Sequence, residues 1–162
     1  MSTYRINVFK EAIHFNAAHF TIFSETQRER IHGHDYFLKA FVTCDLELNH
    51  GLIFNYKILK SHMNHITEQL NEFFLLPEHS TILDIKHRKD NIEFSYQHDF
   101  FSLPKKDVKL LPLQNISNEE LLNWIYQQLI SIWTPLPQSI VTIELELENG
   151  RGQSISQIWS MQ

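Results

Sequence analysis

Two histidines separated by one residue constrain this chain more than any other feature. His32 and His34 lie in a stretch from Ile31 to Val42 that is rich in aromatic and apolar residues and predicts a β-strand. Because alternate residues of a strand share a face, both imidazole rings point the same way. A fold that accepts this stretch must therefore bring two ring nitrogens to one side of a sheet.

His19 is the third candidate donor. It continues the alternation of Ile13, Phe15 and Ala17, so we expect its ring to be buried and to need a polar partner or a metal. Three neutral nitrogens with an open fourth position are typical of a catalytic zinc site. Because imidazoles also bind copper and iron, the residues alone leave the metal open.

The chain is long enough and apolar enough to form one hydrophobic core. Its 162 residues, 43% of them hydrophobic, predict a single domain over residues 1–162. The formal net charge of -5 and the lack of a basic run argue against nucleic acid and anionic membranes as partners. No apolar run approaches the ~18 residues of a membrane span. Small molecules and further subunits are the expected partners.

Cysteine usage favours a reducing compartment. Cys44 is the one cysteine, which excludes an intrachain disulfide, and the first residues lack the apolar region of a secretion signal. We therefore expect a cytoplasmic protein. Cys44 itself is expected to be a small buried apolar residue.

Periodicity predicts strands, a helix, a hairpin, a second helix and two final strands. The first helix begins near Tyr56, and a capping box from Ser117 to Glu120 starts the second, which ends before Pro135. An inserted hairpin turns at 89–91. The predicted ranges are 4–20 and 36–48 for two long antiparallel strands, 80–109 for the insertion, and 139–149 and 153–160 for the last strands. This order gives an α+β fold.

Several motifs, taken in order, resemble one known family. They are Phe-Asn-Ala-Ala-His at 15–19, His-Gly-His-Asp-Tyr at 32–36, Gly-Leu-Ile-Phe-Asn-Tyr at 51–56, and the run Leu-Leu-Pro-Leu-Gln-Asn at 110–115 with Ser-Asn-Glu after it. The set is similar to the 6-pyruvoyltetrahydropterin synthase and 6-carboxytetrahydropterin synthase family. The resemblance implies the tunnelling fold (T-fold), an antiparallel sheet with two helices packed on one face. It also implies a homo-oligomer, usually a hexamer of two stacked trimers.

The same resemblance implies a chemistry. In the family, zinc polarises side-chain oxygens of a dihydropterin triphosphate, while a cysteine activated by an aspartate and a histidine moves protons. The family's zinc ligands correspond here to His19, His32 and His34. A glutamate near the C-terminus anchors the pterin ring.

The proton-moving groups of the family do not carry over. Arg28 stands where the cysteine is expected, so Glu29, or else Glu25, is the candidate proton carrier, and Arg28 suits a phosphate or carboxylate of the ligand. Asn71 and Glu72 replace the aspartate and histidine, which makes Glu72 a second candidate base. A solvated loop and a surface glutamate are the simpler alternatives for these residues.

Three residues are candidates for holding the pterin ring. Asn149 shares the phase of the apolar residues from Val141 to Leu147, while the adjacent Glu148 needs a bulge to point inward. Glu119 matches a family glutamate at the start of the second helix, where a negative charge is also favourable by itself. An asparagine anchor offers a donor and an acceptor but no charge.

The sequence therefore combines an intact metal triad with altered proton carriers. The leading hypothesis is a zinc-dependent lyase acting on a pterin-like small molecule. One alternative is a noncatalytic family member that keeps zinc for folding or sensing. Another is a metal enzyme recruited to a different biosynthetic pathway.

Overall fold

The fold consists of a large sheet, two helices and a smaller sheet. The computed structural model describes residues 3–45 and 51–161. In chain order its elements are β1 (Thr3–Val8), β2 (His14–His19), β3 (His32–Asp45), α1 (Tyr56–Glu68), β4 (Phe73–Pro77), β5 (Asp84–His87), β6 (Asn91–Tyr96), β7 (Asp99–Pro104), a 3-10 helix (Lys105–Asp107), β8 (Val108–Leu111), α2 (Asn118–Ile132), β9 (Ile140–Glu148) and β10 (Ser154–Ser160).

The large sheet has the order β10-β9-β3-β2-β4-β8, and β1 pairs with the second half of β3. Antiparallel pairing joins β1, β2, β3, β9 and β10, as the resemblance implied. In contrast, β4 runs parallel to both β2 and β8, so the sheet is mixed. Parallel neighbours need a crossover, and here α1 and the inserted strands supply it. The predicted α+β class is confirmed.

Both helices begin at side-chain caps. The Asn55 side chain accepts a hydrogen bond from the backbone N–H of Lys57 at 3.0 Å, and Ser117 Oγ accepts one from the N–H of Glu120 at 3.3 Å. Glu120 does not complete the predicted capping box, because its carboxylate accepts from the N–H of Gln114 at 3.0 Å instead. The end of the first helix differs slightly from the prediction. The helix α1 stops at Glu68, before the last apolar residues that recur at helical spacing in the sequence.

The helices contact each other and cover one face of the large sheet. Their apolar residues recur at helical spacing, while those of the strands alternate, so both patterns meet in one core. Its fully buried members include Phe15, Tyr36, Leu38, Leu59, Met63, Ile66, Leu121, Ile125, Ile143, Leu145 and Leu147.

The inserted segment forms a second, smaller sheet of order β5-β6-β7. The predicted hairpin with its turn near 89–91 is β5-β6, and β7 adds a third strand that sequence analysis did not predict. Ile92, Phe94 and Tyr96 of β6 pack with Phe20 and Phe74 in a separate apolar cluster. The insertion therefore lies over the segment that follows β2, which is the start of the loop leading to His32.

Two strand predictions need correction, and the end of a third strand is not tested. The range 4–20 is two strands, because the chain turns between Val8 and His14 before pairing with β3 again. The end of the predicted strand 36–48 lies outside the described residues after position 45. Val141 is 40% exposed although its phase predicted burial, because a register shift between Thr43 and Cys44 interrupts the pairing of β3 with β9 there.

Two further expectations concern single features. Cys44 is fully buried in the core, and burial raises the pKa of its thiol, as expected for a structural cysteine. Among the described residues, no helix combines the length and apolarity that a membrane crossing requires.

Candidate metal centre and adjoining clefts

The three predicted ligands converge at one end of the antiparallel pair β2-β3. His19 lies directly opposite His32 in the register, and His34 lies opposite Ala17. One ligand atom from each ring lies within 4.8 Å of the other two. His19 is 3% exposed, while His32 and His34 are partly open to solvent. The alternation along β3 and the register of β2 against β3 together produce the cluster that the sequence predicted.

Backbone carbonyls orient two of the rings. His19 Nδ1 donates to the carbonyl of Ile116 at 3.0 Å, and His32 Nδ1 donates to the carbonyl of Arg30 at 2.7 Å. A proton on Nδ1 leaves the Nε2 lone pair free to bind a metal, and this is the usual arrangement of metal-binding histidines. The partner that a buried His19 was expected to need is the loop before α2.

The cluster fits a cation well. The Nε2 atoms of His32 and His34 lie 2.9 Å apart. Because His32 donates through its other ring nitrogen, its Nε2 atom carries a lone pair that faces His34. Nitrogen ligands of a tetrahedral zinc ion are about 3.3 Å apart, which lies between this separation and the 4.8 Å limit of the cluster. Two facing lone pairs repel unless a proton or a cation lies between them. The donor set of three imidazoles therefore suits a transition metal such as zinc.

Electrostatics favour the neutral forms of His19 and His34. Burial, followed by the neighbouring His32 and His34, lowers the pKa of His19 from 6.5 to about 4. Burial and His32 also lower the pKa of His34. Neutral imidazoles are the form that binds metals, so these two rings are ready for a cation at neutral pH.

Tyr36 is a member of the site that sequence analysis missed. Its ring is fully buried and stacks on Phe15 with centroids 4.6 Å apart, while its hydroxyl lies 3.2 Å from His19 Nε2. Because His19 Nδ1 already donates, the Tyr36 hydroxyl is the donor in this contact. The signal was available: Tyr36 continues the alternation of His32 and His34 along β3.

Glu29 lies beside the histidines. Its Oε2 is 3.8 Å from His32 Nε2 and accepts a hydrogen bond from the backbone N–H of Thr21 at 3.0 Å. Burial raises the pKa of Glu29, but the hydrogen bonds from Thr21, followed by the neighbouring His32, outweigh this effect, so the pKa lies below its usual value. The carboxylate is therefore ionised at neutral pH. Glu25, the weaker candidate, is exposed at the far end of the same loop.

A cleft of about 200 Å³ opens next to the cluster. Two predicted ring-binding residues, Glu119 at the start of α2 and Asn149 after β9, lie in its wall together with Glu29. Asn149 Oδ1 is buried without a hydrogen-bond partner among the described residues. A buried acceptor without a partner is costly, and a ligand donor in the cleft would satisfy it.

Glu72 lies on a different side of the cluster. It lines a larger cleft of about 540 Å³ that touches the histidines only through His34. Its backbone has a φ of 64°, in the left-handed region, and its N–H donates to the carbonyl of Asn16 at 2.7 Å. The two candidate bases therefore occupy separate clefts.

The structure does not bring two predicted ligand-binding residues to the site. Glu148 lies on the opposite face of the sheet, where it pairs with Lys39 at 2.8 Å, because β9 continues without the bulge that would turn it inward. The Arg28 guanidinium points into the insertion, where it pairs with Asp99 and contacts Phe20. Neither side chain faces the histidines, so we correct both assignments.

The fold and the site together define a class of protein. Proteins of this class have an α+β fold in which three histidines lie at the end of an antiparallel strand pair, beside two clefts that contain carboxylates. The profile of the 6-pyruvoyl tetrahydropterin synthase family matches residues 8–151, and the chain belongs to this family. A relative from Methanocaldococcus jannaschii, provisionally named a 6-carboxy-5,6,7,8-tetrahydropterin synthase, is 24% identical over 149 residues, covering 91% of each chain.

Solved structures agree with this membership. The 6-pyruvoyl tetrahydropterin synthase of Plasmodium vivax superposes with a TM-score of 0.93 at 27% identity, over 99% of this chain and 100% of that chain. The Plasmodium falciparum enzyme gives a TM-score of 0.93 at 26% identity with the same coverage. Two further structures of the Plasmodium vivax enzyme carry alanine or cysteine in place of a glutamate described as a catalytic residue.

Proposed function

We propose that this protein is a zinc-dependent lyase that acts on a dihydropterin triphosphate or a closely related small molecule. The observation that carries the proposal is the three-histidine cluster with Glu29 at 3.8 Å from one of its nitrogens. The metal fit and the family membership support zinc and a pterin-like substrate, respectively.

Each group has a distinct task in this proposal. His19, His32 and His34 hold zinc, which when bound supplies Lewis-acid polarisation of a substrate oxygen. Glu29 is ionised, lies beside the cluster, and accepts and returns the proton that is moved on the substrate side chain. The glutamate described as catalytic in the Plasmodium vivax enzyme supports a carboxylate in this role. Glu72 remains the second candidate, on the other side of His34.

The smaller cleft accounts for binding of the ring. The edge of a pterin carries several N–H donors, and the Glu119 carboxylate and the unpartnered Asn149 Oδ1 are acceptors in the same wall. We therefore assign the ring to this cleft, with the substituent directed towards the histidines. A hydrogen bond accepted by the charged Glu119 carboxylate contributes more than one accepted by the neutral Asn149 amide.

Assembly completes the proposal. Strand β10 pairs only with β9 among the described residues, and Ile158 on it is 62% exposed. Such an edge invites pairing with another copy, and we propose that the chain forms a homohexamer of two trimeric rings. Light scattering coupled to size exclusion tests this number directly.

The activity test uses zinc-loaded protein and 7,8-dihydroneopterin triphosphate, with mass spectrometry for bound ligand and products. We expect loss of triphosphate or of part of the side chain. Glu29→Gln should lower turnover with zinc content unchanged, while Glu72→Gln serves as the comparison that decides between the two carboxylates. Tight zinc binding without ligand binding or turnover would overturn the proposal and favour a noncatalytic role.

A further inference from the structure

The inserted sheet contacts the loop that carries Glu29. Tyr96 Oη donates to the carbonyl of Ser24 at 3.0 Å, and Gln97 Nε2 donates to the carbonyl of Glu25 at 2.7 Å. These contacts come from the end of β6 and the turn after it. The insertion therefore contacts the middle of the loop from outside, while His19 and His32 lie at the two ends of the loop.

Arg28 makes the most extensive contact between the insertion and this loop. Its guanidinium pairs with Asp99 at the start of β7, and its carbon atom Cζ lies 5.1 to 5.6 Å from the ring centroids of Phe20, Tyr96 and Phe101. Only 16% of the side chain is exposed. Arginine suits this environment because its planar cation stacks on aromatic rings while it pairs with a carboxylate.

The same guanidinium also contacts the backbone of Glu29, the proposed proton carrier. Arg28 Nη1 donates to the carbonyl of Glu29 at 2.7 Å, and the N–H of Glu29 donates to the carbonyl of Thr21 at 2.9 Å. Glu29 Oε2 in turn accepts from the N–H of Thr21 at 3.0 Å. Both peptide groups of Glu29 and its carboxylate are thus fixed by neighbours.

We propose that Arg28, held by Asp99 and the aromatic residues of the insertion, is a positioning residue that fixes Glu29 against the metal centre. The inference rests on the proposed function, in which Glu29 carries the proton. It makes the three-stranded insertion a part of the catalytic apparatus rather than an appendage. The Arg28 guanidinium itself faces away from the histidines, towards Asp99 and the aromatic rings.

Asp99→Asn tests the proposal at a distance from the metal site, because it weakens the ion pair with Arg28 without changing Glu29 or a histidine of the cluster. We expect kcat to fall about threefold to tenfold with KM nearly unchanged, since misplacing a catalytic group lowers turnover more than binding. Hydrogen exchange of the amides in 20–31 should accelerate about fivefold. Asp99→Glu should restore both. Glu93→Gln, which removes the Arg88 ion pair within the same sheet, is the matched control and should change neither.

A double-mutant cycle separates positioning from general loosening. If Arg28 acts through Glu29, Asp99→Asn should cost little further turnover in a Glu29→Gln background. An equal loss in both backgrounds overturns the inference, as does unchanged exchange of residues 20–31 with unchanged kcat. If Glu29→Gln leaves turnover intact, the assignment of Glu29 is overturned together with this inference. Glu29→Gln that lowers turnover while Asp99→Asn has no effect overturns this inference alone.

Discussion

His19 should make the metal-free protein sensitive to mild acid. Its folded pKa of about 4 lies below the ordinary 6.5, because burial and the two neighbouring histidines oppose its protonation. The unfolded chain therefore binds a proton in a pH range where the folded chain does not. The stability that this residue contributes is fully present above about pH 6.5 and is lost as the pH falls towards about 4.

The size of the effect follows from the two pKa values. Integration between about pH 7 and about pH 4.5 gives a loss of about 2 kcal/mol in the free energy of unfolding. The side chain is 3% exposed, so solvent screening takes little from this figure. Against the few kcal/mol of net stability of a typical domain, such a loss is readily measured.

Urea denaturation in the presence of a chelator, at fixed protein concentration across this pH range, measures the loss. His19→Asn keeps a donor for the Ile116 carbonyl but removes the titrating group, so its stability should change with pH by about 2 kcal/mol less than that of the parent. His14→Gln, an exposed position at the start of the same strand, controls for the loss of a histidine. Equal pH dependence of His19→Asn and the parent would refute the reasoning.

Three other outcomes follow from individual contacts. Tyr36→Phe should bind zinc up to about tenfold more tightly, because the metal no longer has to displace the tyrosine hydroxyl from His19 Nε2. Competition with a chromophoric chelator measures this affinity, and an unchanged or weaker affinity contradicts the prediction. Asn115→Ala should lower the free energy of unfolding by about 2 kcal/mol, since the side chain bonds both the N–H and the carbonyl of Ile22; a thermal melt equal to the parent's argues against it. Lys39→Met should cost about 1 kcal/mol at low salt and less at high salt, because Lys39 bridges two partly exposed glutamates; a cost independent of salt contradicts the ionic origin.

The sequence predicted the parts of the site that depend on local periodicity. Alternation along one strand places His32 and His34 together, and the phase of His19 and Asn149 follows from the same rule. The directions of Arg28 and Glu148 could not be predicted in this way. Arg28 is drawn outward by Asp99, a residue far along the chain, and Glu148 is held by Lys39 of a neighbouring strand.

The strand order beyond β3 also lay outside local patterns. The parallel pairing of β4 with β2 and β8 depends on where α1 and the insertion return the chain, which periodicity does not encode. The third strand of the insertion was missed because β7 is largely exposed and alternates weakly. The exposed Val141 reflects a register shift that depends on the partner strand.

The candidate metal ligands match the family while the candidate proton carriers do not, and both outcomes have a common physical reason. His19 and His32 are oriented by the backbone carbonyls of Ile116 and Arg30, which any residue at those positions provides. A proton carrier depends on the chemistry of one side chain, so a change of residue changes the reaction directly. In this chain the carboxylate of Glu29 takes its orientation from a backbone N–H and from an arginine anchored in the insertion. Under the proposed function, a scaffold of this kind keeps its three-histidine cluster while the residues around the cluster move the proton in another way.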